Sequence, residues 1–242
     1  MKIIADTHCH TIASTHAYST IMENVNIASQ RGLYAIAITD HARTLPGAPG
    51  EWYFENLRVL PKKINGVFVL KGIEANILDE NGSLDILPEE EKTLEWIVAS
   101  IHNPATNLLK GDFEACTNAM LNIAKDKRVN VIGHSGTEVY KYDYEKLIPI
   151  FGENGKLVEI NNASFKVRRT SVENCKQIAL LCKKYNVPVV LNSDSHFCMQ
   201  IGNVENSIKL LEEIDFPESL VVNADPERFK KYLTQYTHFF DD

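Results

Sequence analysis

The stretch DTHCHTIASTHAYS, residues 6–19, holds three of the chain's eight histidines within nine positions. Core segments rarely need so many imidazoles, and surfaces gain little from them. The stretch follows the apolar run Ile3-Ile4-Ala5, which reads as the end of a strand. Side chains alternate along a strand, so Asp6, His8 and His10 are expected on one face, with Cys9 turned the other way into packing. His16 falls in the loop beyond.

The same grammar recurs along the chain. Apolar runs at 33–38, 67–70 with Ile73, 97–99, 129–132, 157–160 and 187–191 bring the strand-like segments to seven. Segments of helical period separate them. Residues 171–185 put Val172, Cys175, Ala179 and Cys182 on one face behind a Thr170/Glu173 capping-box pattern. Phe113, Cys116, Met120, Ile123 and Lys127 mark another helix after Asp112, residues 205–214 a third, and Asp225-Pro226 the start of a fourth. Strict alternation implies parallel strands with right-handed crossovers. Seven units fall short of a regular eightfold barrel but suffice for a distorted one; an open doubly wound sheet is the rival. No repeat, low-complexity tract or linker divides the chain, so residues 1–242 read as one domain.

Polar residues at the strand exits decide between the two architectures. After the second run, AIAITDHA gives Asp40 and His41; after the third, GIEAN gives Glu74; then IHNP gives His102, IGHSG gives His134, EINNASF gives Asn162, and NSDSHF gives Asp194 and His196. In a parallel barrel all C-terminal strand ends open onto one face, whereas an open sheet strings them along an edge too long to share a cluster. The distribution favours the barrel. Uncharged imidazoles with carboxylates suit Zn, Fe, Mn or Ni, and a bridging carboxylate suits a site with several ions. A single buried histidine such as His102 or His134 has a plain structural reading. All seven together at one rim do not.

Composition narrows the setting. A formal net charge of −7, with basic residues scattered, argues against nucleic acid as a partner. No signal-like leader and no apolar run long enough for a membrane span is present, and five cysteines, an odd count, read as free thiols. A cytoplasmic protein is expected, with Cys9 and Cys198 as bystanders. Association into a homo-oligomer is compatible with the sequence but leaves no mark in it.

The motifs DTHCHTIASTHAYST, AITDHA, GIEANI, IHNP, IGHSG, EINNASF and NSDSHF, in that order, resemble those of the PHP (polymerase and histidinol phosphatase) family, in particular its small stand-alone bacterial phosphatases. The resemblance implies a distorted (β/α)7 barrel with three divalent ions, zinc first, with manganese or iron accepted by the same donors. It implies that His8, His10, Glu74 and Asp194 hold one ion, that Glu74 bridges to a second held also by His102 and His134, and that His16, His41 and His196 hold the third. The implied activity is hydrolysis of a small phosphorylated metabolite by a metal-bound hydroxide, with Glu74 and Asp194 central to catalysis. Around this set, Asp6 and Asp40 are expected to orient imidazoles, Asn162 to meet substrate or water, and Arg168 or Arg169 to fork onto phosphate. Rival readings are a phosphodiesterase or nuclease, an amidohydrolase-type enzyme, and a zinc-binding regulator without activity.

Overall fold

The computed structural model describes residues 1–241. Its strands are β1 (Ala5–Cys9), β2 (Ala35–Ile38), β3 (Lys63–Ile64), β4 (Val67–Asn76), β5 (Trp96–Ser100), β6 (Val131–Ile132), β7 (Leu157–Asn161) and β8 (Val189–Asn192). The order is β1-β2-β4-β5-β6-β7-β8, all neighbours parallel, with the short β3 antiparallel to β4. This is the expected nearly closed barrel of seven parallel strands, and the open sheet is excluded. The helices are α1 (Ile21–Gln30), α2 (Trp52–Asn56), α3 (Pro88–Glu91), α4 (Phe113–Lys125), α5 (Tyr144–Glu153), α6 (Ser164–Val167), α7 (Val172–Tyr185), α8 (Glu205–Glu213) and α9 (Pro226–Tyr236). None is long and apolar enough to cross a membrane.

The ring closes at β8 and β1 without a regular ladder. Asn192 Oδ1 accepts from the Thr7 amide at 2.8 Å and the Thr7 hydroxyl at 2.9 Å, and Ser195 O accepts from the His10 amide at 2.8 Å. Elsewhere the strands pack closely because small residues let them. A Cβ on Gly72 of β4 would sit 2.8 Å from Thr39 Cγ2 and 2.9 Å from Trp96 O, so only glycine fits between β2 and β5.

The barrel interior has two halves. Ala5, Ala37, Leu70, Val98, Val131, Leu157 and Val190, one from each barrel strand, pack with Phe229, Tyr232 and Leu233 of α9, which plugs the N-terminal end. Trp96 is fully buried there, and its indole Nε1 donates to Thr7 O at 3.0 Å. Past that layer the apolar set stops and the imidazoles begin.

Several local expectations need correction. The first strand is Ala5–Cys9 rather than residues 3–5, because the Ile4 amide donates to Asn223 O at 2.8 Å instead of entering the ladder. His8 therefore lies inside the strand. The β1–β2 register pairs Asp6 with Ile36 but Cys9 with Ile38, so one extra residue is accommodated on β1. Such a bulge breaks strict alternation and separates Asp6 from His8 in direction. Cys9 does pack as expected, its thiol donating to Ala37 O. The Thr170/Glu173 capping box does not form: a 3-10 turn at Arg169–Ser171 runs into α7, and the Ser171 hydroxyl accepts from the Glu138 amide. Asp112 and Asp225 cap α4 and α9 as read, through the Ala115 and Arg228 amides.

Candidate metal centre

Glu74 lies near the C-terminal end of β4, at the rim, and is 1% exposed. Its Oε1 lies 3.0 Å from His134 Nε2, 3.3 Å from His102 Nε2 and 3.3 Å from His8 Nε2. Its Oε2 lies 2.8 Å from His41 Nδ1 and 3.5 Å from His10 Nε2. Five imidazoles, from four strands or their exits, thus converge on one carboxylate. Asp194 extends the set, with Oδ1 3.2 Å from His10 Nε2 and 3.7 Å from His8 Nε2. His16 reaches in from its loop to place Nε2 3.2 Å from His41 Nε2, and its ring lies 4.7 Å from that of His196.

These spacings suit cations. Donors that share a tetrahedral ion at Zn–N distances of about 2.0–2.1 Å stand roughly 3.3 Å apart. His102, His134 and Glu74 form such a triangle, with edges of 3.1, 3.0 and 3.3 Å. Donor atoms of His8, His10 and Asp194, of His41, Glu74 and His102, and of His10, His41 and His196 also gather within 4.8 Å of one another. The last trio differs from the implied one: His10 stands where His16 was expected, although His16 adjoins it. All nine expected ligand residues lie in this continuous cluster.

Unused lone pairs point the same way. His8 Nε2, His10 Nδ1, His41 Nδ1 and Glu74 Oε2 are buried without a hydrogen-bond partner. His41 Nδ1 and Glu74 Oε2 are only 2.8 Å apart, yet their geometry makes no hydrogen bond, so both aim past each other. Buried orphans of this kind are costly unless something else binds them.

Charge completes the test. Burial opposes ionisation of Glu74, but His102, His8 and His41 outweigh it and hold the carboxyl well below its usual range. Asp194 is held down likewise, against burial, by His8, His10 and Arg168. Glu159, also buried, is lowered mainly by His8. Burial pushes His10 well down, and burial with Arg168 takes His134 to about 4, which leaves both rings neutral and able to ligate. His8 is the exception: burial opposes its charge, but Glu159, Glu74 and Asp194 raise it. Three buried carboxylates thus face a group of imidazoles, and Arg168, 3.4 Å from Asp194, is the one Lys or Arg paired with any of them among the described residues. Divalent cations fit that deficit.

The expected supporting residues fare unevenly. Asp6 orients no imidazole: its carboxylate accepts from the Ser193 amide and hydroxyl and from the Gly202 amide, because the bulge turns it toward the β8 exit. Asp40 likewise accepts from the Thr11 amide and hydroxyl, the Ser14 hydroxyl and the Tyr53 hydroxyl, which fixes the loop that carries His16. Asn162 borders a cavity at the crater, but its Oδ1 accepts from the Asn206 and Ser207 amides. Arg168 sits at the crater mouth, whereas Arg169 is exposed and lines neither cavity there.

Sequence reasoning missed the residue that does orient the imidazoles. Glu159, inside β7, accepts from His8 Nδ1 at 2.7 Å through Oε1 and from the His134 amide at 2.7 Å through Oε2. Asn76 holds His102 similarly, Oδ1 to Nδ1 at 2.8 Å. Signals existed: a lone glutamate in the apolar run LVEI, and an asparagine two residues past Glu74 on the same strand face. Second partners of ligating histidines typically change metal affinity or activity about 10–100-fold. We expect Glu159→Gln to lower turnover and metal retention by that order; unchanged metal content and rate in the variant would remove Glu159 from this role.

Two backbone positions at the rim are strained. His134 at φ 24° and Asp194 at φ 54° are non-glycine residues with positive φ, both among the candidate ligands.

The PHP domain family matches residues 6–163, about two-thirds of the chain. The chain belongs to the PHP domain family. Among curated relatives, a probable phosphatase of Caldanaerobacter subterraneus is 43% identical over 97% of this chain and 92% of its own length, and one of Acetivibrio thermocellus is 44% identical over 96% of each. Among solved structures, histidinol phosphate phosphatase of Lactococcus lactis, crystallised with zinc, L-histidinol and phosphate, superposes with a TM-score of 0.61 at 15% identity, covering 90% of this chain and 95% of that one. That likeness shows the shared barrel. The expectation of a phosphatase-class hydrolase agrees with these relatives.

Proposed function

We propose that this PHP protein is a metal-dependent phosphomonoesterase acting as one domain, with a trinuclear site, most simply of zinc, held by His8, His10, His16, His41, Glu74, His102, His134, Asp194 and His196. The observation that carries the reading is Glu74, whose two oxygens face five imidazoles. Zinc in the Lactococcus lactis phosphatase supports the choice of ion. Bound ions would supply charge to a phosphoryl group and a nucleophile from water at neutral pH.

The chain's own residues do the rest. Glu74 joins the imidazole sets, Asp194 ties His8 to His10, and Glu159 fixes the His8 ring and the His134 backbone at once. Asp40 anchors the loop of His16. Arg168 donates Nη1 to Asp194 and lines a cavity of about 330 Å³ together with His16, His41, His102 and His196. A guanidinium beside such a crater suits a phosphate oxygen. That opening supports a catalyst over a metal reservoir, which has no use for one.

The test is a side-by-side assay on protein reconstituted separately with Zn, Mn and Fe. p-Nitrophenyl phosphate should be hydrolysed, with bis-p-nitrophenyl phosphate and amides much slower. Faster diester or amide cleavage would replace the monoesterase reading, and verified metal with no turnover of any ester would favour a regulator.

A further inference from the structure

Beside the crater lies a second cavity of about 440 Å³, sharing His16, Arg168, Asp194 and His196 with the first. A phosphoryl group over the histidines would send the rest of the ester into it, and this volume is within the usual range for a small-molecule site. Its remaining polar lining is Asn162, Lys166, Ser193, Gln200 and Asn203.

Hydrogen bonding fixes what this wall offers. Asn162 Oδ1 accepts from the Asn206 amide at 2.9 Å and the Ser207 amide at 3.3 Å, so backbone donors dictate the orientation of its side chain and its NH2 is left over. Gln200 Oε1 accepts from the His196 amide at 3.4 Å, which likewise turns the Gln200 NH2 away from that contact. The Ser193 hydroxyl is spent on Asp6. Lys166 is exposed and forms no ion pair among the described residues. Asp194 is the one carboxylate in the lining, already engaged with His10, Asn161 and Arg168. The wall therefore offers side-chain N–H donors and a free ammonium, and its one carboxylate is already engaged.

Resting on the phosphomonoesterase reading, we propose that this cavity selects esters whose leaving alcohol carries a second anionic group, a carboxylate or a further phosphate, and disfavours amine-bearing alcohols such as histidinol. Lys166 is the specificity-determining residue; Asn162 and Gln200 position the anion through their N–H groups.

The experiment compares kcat/KM of the metal-loaded protein for probes of similar size: 3-phosphoglycerate for the carboxylate arm, glycerol bisphosphate for the phosphate arm, glycerol phosphate as neutral reference, and phosphoethanolamine and histidinol phosphate as cationic esters. One well-placed charge at a wet surface is worth roughly a fivefold to tenfold change. The anionic esters should exceed glycerol phosphate by that factor and the cationic ones should fall below it. Lys166→Gln should bring the anionic-to-neutral ratio near one, and Lys166→Glu should invert it. The better of the two anionic arms identifies the group. A flat series, or preference for histidinol phosphate, with p-nitrophenyl phosphate still turned over, would overturn this inference and leave the phosphatase reading intact. Loss of all ester turnover with metal verified would overturn both.

Discussion

Glu74→Ala should lower hydrolysis of p-nitrophenyl phosphate by roughly a thousandfold or more, because charge stabilisation by metal ions is worth several kcal/mol and each 1.36 kcal/mol is tenfold in rate. Its two oxygens face five imidazole nitrogens from four strands or their exits, and no other side chain in the cluster reaches all five. Metal content measured on the same preparation should drop well below three ions per chain. Glu74→Gln keeps the shape and loses the charge, so it separates packing from ligation, and it should fall nearly as far. Turnover at the wild-type rate in either variant would refute the bridging assignment.

Stripping with a chelator should abolish turnover and lower the melting temperature on the order of 10 °C. A ligand present at a thousand times its dissociation constant stabilises by about 4 kcal/mol, and each kcal/mol moves a domain of this size by about 2–4 °C. The physical source is visible in the cluster: Glu74, Asp194 and Glu159 are all buried and ionised, with Arg168 and the His8 ring for local compensation. Adding back one equivalent series of Zn should restore both readings together. Chelated protein that melts as before and still hydrolyses ester would leave the cluster without a cation role.

Much of this was legible in the sequence, and for identifiable reasons. The seven strands announce themselves because a parallel barrel buries both faces of each one, which leaves short unbroken apolar runs. The candidate ligands could be located because all but His16 follow closely on such a run. Five helices escaped notice, the short α2, α3 and α6 and the longer α1 and α5. In α1 the buried face includes Asn24, whose amide donates to His10 O at 2.9 Å, so the apolar stripe is interrupted; its true mark was the Thr20/Glu23 capping box. In α5, Pro149 inside the helix obscures the pattern. The bulge in β1 adds one residue and changes no composition, yet it redirects Asp6. Glu159 lies within its strand rather than beyond it, so attention to exits passed over the group that holds both His8 and His134.

The seam between the outermost strands sets a clock on maturation. His10 and Asp194 are neighbours at 3.2 Å but stand 184 residues apart in the chain. At roughly 5–20 residues per second of synthesis, His10 waits about 10–40 s for its partner to be made. Until then β1 has no β8 to adjoin, and the early histidines can offer an ion only a partial, open grip. At the proposed metal centre, tight cation capture would thus come late, after the last strand has emerged, and would mark the moment the nascent chain becomes a finished vessel.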